Sequence, residues 1–270
     1  MLAQERQSRM VQYIKQRLTV SVNELGQYFD VSTMTVRRDL ELLEEKGLVE
    51  RVHGGAMAQP AVAGLREEER AARNVYQKAL IGEEAARLVQ DGQTVFIDAG
   101  TTTIELARRL LDRRGLTVVT NSVKVLSTLA DAPGINLVGV GGNVYGGAWS
   151  FVGPLAEAGI RRFLSDLAFL GITGLSLEHG LSEMTIFEAN SKSLIIQQSQ
   201  RAVLLADSSK FEKVSPISVA PLSDIDVIIT DDRLSPDLIR AYQQTGVELV
   251  LARENGMQTG KILPATVTAL

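Results

Sequence analysis

Two sets of side chains in this sequence combine residue types that do chemistry. The first is Ser32, Thr33, Thr35, Arg37 and Arg38. Hydroxyls and guanidinium groups at the start of a helix are what a duplex reader presents: hydroxyls reach phosphates, and arginine reaches phosphate or, bidentate, guanine. The second set is dispersed: Asp98-Ala99-Gly100-Thr101-Thr102-Thr103, Asn121-Ser122, Gly141-Gly142 and Asp207-Ser208-Ser209-Lys210. In the first of these loops the glycine permits a close turn, a following helix offers free amides and positive potential, and the threonines add hydroxyl donors. That chemistry suits a phosphate. Lys210 supplies a point charge to a phosphate or sugar oxygen.

The elements that must carry the first set lie within residues 1–57. Met10, Ile14 and Leu18 recur at helical spacing. Ser21-Val22-Asn23-Glu24 reads as a capping box opening a second helix, with Val22, Leu25 and Phe29 inward. After the turn at Asp30-Val31, Ser32 caps a third helix whose stripe is Val36, Leu40 and Leu43 and which stops near Gly47. That stripe leaves Thr33, Thr35, Arg37 and Arg38 outside, where a recognition helix meets base edges. Residues 48–52 read as a strand and His53-Gly54-Gly55 as its turn, a wing that brings Arg51 and His53 to the same interface. The alternative is a three-helix packing module whose arginines only solvate a surface.

The second set needs a different scaffold. Apolar runs at 94–98, 116–120, 135–140, 166–170, 202–206, 225–230 and 247–251 alternate with helical stretches at 79–89, 103–111, 122–130, 155–163, 185–198 and 236–245. Fully apolar strands alternating with helices predict an α/β domain, with a mostly parallel sheet covered on both faces, over 77–252. The dispersed loops then fall together beyond the carboxyl ends of the strands, where such sheets bind ligands. Taken one at a time each has a plainer role, since Thr101–Thr103 and Asn121-Ser122 can cap helices and Gly141-Gly142 can be a turn. Residues 58–76 read as a linker and a polar helix whose charge run, Arg66 to Arg70, is a solvated face. Residues 253–270 read as a tail.

Composition excludes several classes. The chain has 270 residues, 45% hydrophobic and 22% charged, enough for two domains. Zero cysteines remove disulfides, thiolate catalysis and Cys-ligated zinc, and two histidines leave little for a metal site. No cofactor is expected, because no Walker loop or H-E-x-x-H occurs and Gly139-Val140-Gly141-Gly142-Asn143-Val144 fails the dinucleotide pattern at its last glycine. No apolar run approaches the roughly 18 residues of a membrane span, and the start of the chain lacks a secretory signal, so the expectation is a cytoplasmic protein without a membrane partner. The net charge is −4. Residues 1–57 are neutral, with eight cations (Arg6, Arg9, Lys15, Arg17, Arg37, Arg38, Lys46, Arg51) against eight acids (Glu5, Glu24, Asp30, Asp39, Glu41, Glu44, Glu45, Glu50). Contact with DNA must therefore come from local placement of charge.

Ser32-x-x-Thr35-Val36-Arg37-Arg38-Asp39-Leu40, Leu43-Glu44-x-x-Gly47-Leu48-Val49-x-Arg51 and His53-Gly54-Gly55-Ala56 together resemble the signature of the DeoR (deoxyribose-operon repressor) family. The resemblance continues to about Asp231 through Asp98-x-Gly100-Thr101-Thr102, Thr120-Asn121-Ser122, Gly141-Gly142, Gly153, Asp166-x-Ala168-Phe169-x-Gly171, Glu188-Ala189-x-x-Lys192 and Asp207-Ser208-Ser209-Lys210. It implies a bacterial transcription regulator, usually a repressor, with a sensor domain similar in fold to ribose-5-phosphate isomerase. It also implies that the Asp98–Thr103 loop holds an effector phosphate while Asn121, Glu188 and Lys210 line the sugar. Lys192, one turn after Glu188, reads equally well as an ordinary helix-face partner of Glu188.

The expected partners are double-stranded operator DNA, a phosphorylated sugar and further copies of the chain, as a homodimer or homotetramer. The rival is a sugar-phosphate isomerase with an accessory DNA-binding domain. The isomerases of this fold resemble one another in a lysine–polyglycine loop that Leu177-Glu178-His179-Gly180-Leu181-Ser182-Glu183 lacks, so the expectation is a sensor without catalytic residues. A third possibility is an oligomerisation module behind a DNA-binding head.

Overall fold

The computed structural model describes residues 3–17, 19–45, 49–52, 54–58 and 67–254, and the chain divides into two compact units, residues 1–64 and 65–270. The first unit runs α1 (Ala3–Arg17), β1 (Thr19–Ser21), α2 (Val22–Phe29), α3 (Thr33–Glu45), β2 (Val49–Val52) and β3 (Gly55–Ala58). Met10 and Ile14 of α1, Leu25 of α2, and Val36, Leu40 and Leu43 of α3 pack into one core. These are the stripes the sequence predicts; Leu18, Gly47 and His53 lie outside the described residues. Ser21 caps α2, its Oγ accepting from the Glu24 amide at 3.1 Å. Asp30, in the left-handed region at φ 50°, ends α2, and the Val31 amide donates to the Gly26 carbonyl at 3.0 Å.

The wing is a three-stranded antiparallel sheet in the order β1-β3-β2. Gly54, at φ 86°, makes the turn between β2 and β3. β1 was not anticipated: three residues are too few for a period-2 pattern to register. Its approach is close, since a Cβ on Gly55 would sit 2.3 Å from the Val20 carbonyl oxygen.

The second unit comprises α4 (Glu67–Ala72), α5 (Val75–Ala86), β4 (Thr94–Ile97), α6 (Thr103–Arg109), β5 (Leu116–Thr120), α7 (Val123–Leu129) and β6 (Ile135–Gly139). A hairpin follows, β7 (Asn143–Tyr145) and β8 (Ser150–Val152), then α8 (Pro154–Ile160), β9 (Ser165–Leu170), β10 (Gly174–Ser176), β11 (Gly180–Glu183) and α9 (Ile186–Gln197). β12 (Ser199–Leu205), β13 (Ile217–Ala220), β14 (Val227–Asp231), α10 (Pro236–Gln244) and β15 (Glu248–Ala252) complete it. Seven strands form one wholly parallel sheet, β15-β14-β12-β9-β4-β5-β6, and they are the seven predicted.

Alternation within each strand feeds two cores. Leu167 and Phe169 of β9 join Val95, Ile97, Val203 and Leu205 on one face, while Ala168 and Leu170 join Phe96 and Leu204 on the other. From β4 the chain steps outward through β5 to β6, then returns to place β9 on the other side of β4. The strand order reverses there, so a crevice opens beyond the carboxyl ends of β4 and β9. The small antiparallel sheet β10-β11-β13 and the β7–β8 hairpin were not read from the sequence. Among the described residues no helix is long and apolar enough to cross a membrane.

Candidate functional site

In the first unit α3 turns Thr33, Arg37 and Arg38 to solvent, with Val36 and Leu40 buried behind them. Ser32 accepts from the Thr35 amide at 3.2 Å, and the two hydroxyls lie 2.9 Å apart, so both have a capping role within the helix start. Arg51 lies on β2 of the wing; His53 is outside the described residues. Sequence reasoning missed two residues here. Asp39, 4% exposed, accepts from Arg6 Nε at 2.7 Å and from Gln7 at 2.8 Å, which clamps α1 onto α3. Met34 stands 74% exposed on the first turn of α3, an apolar side chain beside the arginines.

In the second unit the crevice holds a buried charge cluster. Lys192 of α9 bonds the Asp98 carboxylate at the end of β4 and lies 3.6 Å from Glu183 at the end of β11. Burial alone would push the ammonium down, but Asp98, Glu183 and Glu188 together outweigh it and hold it above its ordinary range. The helix-face reading of Lys192 is thereby corrected: the ammonium crosses to other elements instead of pairing along α9. Asn121, after β5, donates to Asp98 Oδ1 at 3.1 Å and accepts from the Ala99 amide at 3.0 Å. Glu188 sits in the first turn of α9 and accepts from Thr185 Oγ1 at 2.9 Å. Burial, then the neighbouring Glu183, raises its carboxyl above the usual range.

Asp98, Asn121, Glu188 and Lys192 line one small cavity with Ala99, Ser150, Val152 and Ser191, of about 10 Å³. Ser150 and Ser191 are 2% and 1% exposed, and the hydroxyl of each is buried without a hydrogen-bond partner. An unmet buried hydroxyl costs about 1–3 kcal/mol, so a pair of them facing one small cavity marks a place for a further polar partner, whether a buried water or a polar atom of a ligand.

The other predicted residues do not line this cavity. Gly100 packs 3.8 Å from Gly171 through the position its Cβ would take, Thr101 is half-buried, and Thr102 is buried. Thr103 donates to the Gly100 carbonyl at 3.0 Å, and Ser122 caps α7 by accepting from the Val125 amide at 3.2 Å. Gly141 and Gly142 take positive φ of 73° and 118° after β6. A Cβ on Gly142 would meet Ala156 at 2.9 Å, which gives that glycine a packing role, whereas Gly141 faces open space. Lys210 follows β12; burial lowers its ammonium, with Arg70 adding to the effect and Asp207 and Glu183 opposing it.

The charge run at the linker also departs from expectation. Arg66 is outside the described residues, and Glu68 and Glu69 face solvent, but Glu67 is 4% exposed and pairs with Lys124 of α7 at 3.0 Å. Arg70 Nη2 donates to the Gly147 carbonyl in the β7–β8 turn at 3.0 Å. A run of charges predicts a solvated face only where nothing nearby pairs with them.

A winged helix with an exposed arginine pair, followed by an α/β unit with a polar cavity at its switch point, defines a DNA-binding protein that carries its own ligand sensor. The model of the DeoR-like helix-turn-helix domain matches residues 6–60, and that of the DeoR C terminal sensor domain matches residues 73–232. The chain is 36% identical over 254 residues to the HTH-type transcriptional regulator GlpR of Haloferax volcanii, covering 93% of this chain and 98% of that one. It is 34% identical to the regulator IolR of Bacillus subtilis, covering 90% and 97%, and 36% identical to the transcriptional repressor AccR of Agrobacterium fabrum, covering 84% and 89%. The chain belongs to the DeoR family of transcriptional regulators, and the isomerase alternative falls away. Ribose 5-phosphate isomerase A from Methanocaldococcus jannaschii aligns with 51% of this chain and 55% of its own at a TM-score of 0.39 and 19% identity, a likeness too loose to carry an argument about function.

Proposed function

We propose that this regulator is a cytoplasmic repressor of a carbohydrate-metabolism operon, released from or retained on its operator by a phosphorylated sugar bound at the switch point of the sheet. The observation that carries the reading is the cavity beside Asp98, where two buried hydroxyls want partners among carboxylates. Asp98, Glu183 and Glu188 outnumber Lys192, so the cavity itself suits hydroxyl donors of a polyol better than a second anion. The phosphate belongs at its rim, where the Gly100–Thr103 loop offers hydroxyls and amides and where Lys210 lies; Asn121 and Glu188 then face the sugar. Ser122, Gly141 and Gly142 shape the neighbouring loops. In the head, Arg37 and Arg38 contact the duplex, with Thr33, Arg51 and His53 as further contacts and Ser32 and Thr35 fixing the helix start.

Paired heads of a homodimer or homotetramer would place recognition helices on successive half-sites. The ligand changes operator affinity only as far as it distinguishes two states of the protein. Thermal-shift measurements against a panel of phosphorylated pentoses and hexoses, followed by mobility-shift titration of an operator selected from a random duplex library, test the reading. It stands if a phosphosugar raises the melting temperature and alters operator affinity; binding that leaves operator affinity unchanged sinks it.

A further inference from the structure

α4 is the first described element of the second unit, the one that residues 59–66 join to the wing. Its own sequence, Glu67 to Ala72, gives it little apolar surface to bury, and Ala71 and Ala72 are exposed. What holds it is polar. Glu67 pairs with Lys124, Arg70 bonds the Gly147 carbonyl, and the buried Lys78 ammonium bonds the carbonyls of Arg70 and Arg73. Just beyond, Asn74, in the left-handed region at φ 52°, donates to Asp207 Oδ1 at 3.0 Å. Three of these contacts thus tie the segment to α7, the β7–β8 hairpin and the Asp207–Lys210 loop, which surround the candidate site. An element held by a few polar contacts over exposed backbone opens at low free energy.

Two features single out Arg70. Its Nε is buried and has no hydrogen-bond partner, so only part of the guanidinium fork is used by Gly147. The hairpin it holds also covers the cavity: Ser150 and Val152 of β8 are lining residues, and the Phe151 amide is bonded to the Asn121 carbonyl at 2.7 Å. A guanidinium with a spare Nε engages an oxyanion bidentately, and charge-assisted bonds of that kind are roughly twice as strong as a bond to a neutral carbonyl.

We propose that Arg70 is an effector-contacting residue: it exchanges the Gly147 carbonyl for the anionic group of a ligand entering beneath the β7–β8 hairpin, and in doing so it moves α4 and the linker. The proposal rests on the reading of the site given above. Arg70 is well placed electrostatically, since its charge acts on Glu188, Tyr145, Lys78 and Lys210. The exchange transfers ligand binding to the first segment of the sensor by one side chain, with no rearrangement of the sheet.

The test uses the full chain with inorganic phosphate, ribose 5-phosphate and glucose 6-phosphate as probes, titrated by calorimetry, and amide hydrogen exchange over residues 67–78 with and without the tightest of them. Arg70→Gln is expected to weaken that probe at least tenfold and to abolish the ligand-dependent change in exchange. Arg70→Lys, which keeps the charge and loses the fork, is expected to fall about three- to tenfold and covers the case in which Arg70→Gln does not fold. Wild-type affinity in both folded variants overturns the proposal and leaves Arg70 a clasp on the hairpin. Failure of every probe to bind the wild-type protein overturns the underlying reading and the proposal with it.

Discussion

A buried ammonium among three carboxylates is a place where removing one charge is felt by all. Replacing Lys192 by Met would leave Asp98 and Glu183, each 2% exposed or less, without their cation. Breaking a buried pair in this way costs about 3–5 kcal/mol. Urea titration should show that loss for Lys192→Met and a smaller one for the Asp98→Asn, Lys192→Met double variant, because the second change removes an orphaned charge. Glu188 gives a pH dependence with a defined sign. Its carboxyl is raised in the folded chain, so the wild-type contribution is fully present below the unfolded value of about 4.3 and is lost as pH rises through the folded one. The stability of Glu188→Gln relative to wild type should therefore climb as pH rises above the unfolded value of about 4.3, and a flat difference would contradict the burial argument. On α3, Arg37→Ala and Arg38→Ala should each weaken operator binding by about 1–3 kcal/mol without changing ligand affinity. Met34→Ala should leave phosphate contacts alone and relax preference for a thymine methyl at one operator position, read by repeating the duplex selection.

At the scale of elements, what the sequence made legible was whatever repeats. The seven parallel strands are apolar on both faces, and the three head helices carry full stripes, so periodicity alone finds them. β1, β7, β8 and β10 have three residues each, too short to show a period. The site was legible as loops at strand ends, and Asp98, Asn121 and Glu188 do meet at one cavity. Their partners were not: Lys192 lies 94 positions from Asp98, and Ser150 and Ser191 have no local signature until the hairpin and α9 are brought together. The burial of Glu67 was hidden for the same reason, since its cation, Lys124, sits on α7. Gly55 offers an element-scale prediction. A methyl group there would collide with the Val20 carbonyl oxygen, backbone against backbone, so β1 and β3 must part. Gly55→Ala should destabilise the head by about 1–3 kcal/mol, the usual cost of overpacking. Calorimetric melting should show the loss in residues 1–64 while the sensor unit keeps its ligand affinity.

At the scale of the whole molecule the question is how much free energy passes from one unit to the other. The head has no net charge, and Arg6 is committed to Asp39, so operator affinity depends on a few placed arginines and not on a basic coat. A modest displacement of the linker is then enough to matter, because a misplaced head has no diffuse field to fall back on. Thermodynamic linkage makes this testable without knowing the path. If a phosphosugar changes operator affinity by some factor, saturating operator must change the affinity for that phosphosugar by the same factor, typically 5- to 150-fold. Calorimetric titration of the ligand into free and operator-saturated protein should return that equality at one salt concentration. Arg70→Gln should shrink this shared factor, measured from either end; a variant that weakened phosphosugar binding but kept the wild-type factor would show that its effect lies in binding alone and that the linker is moved by another contact.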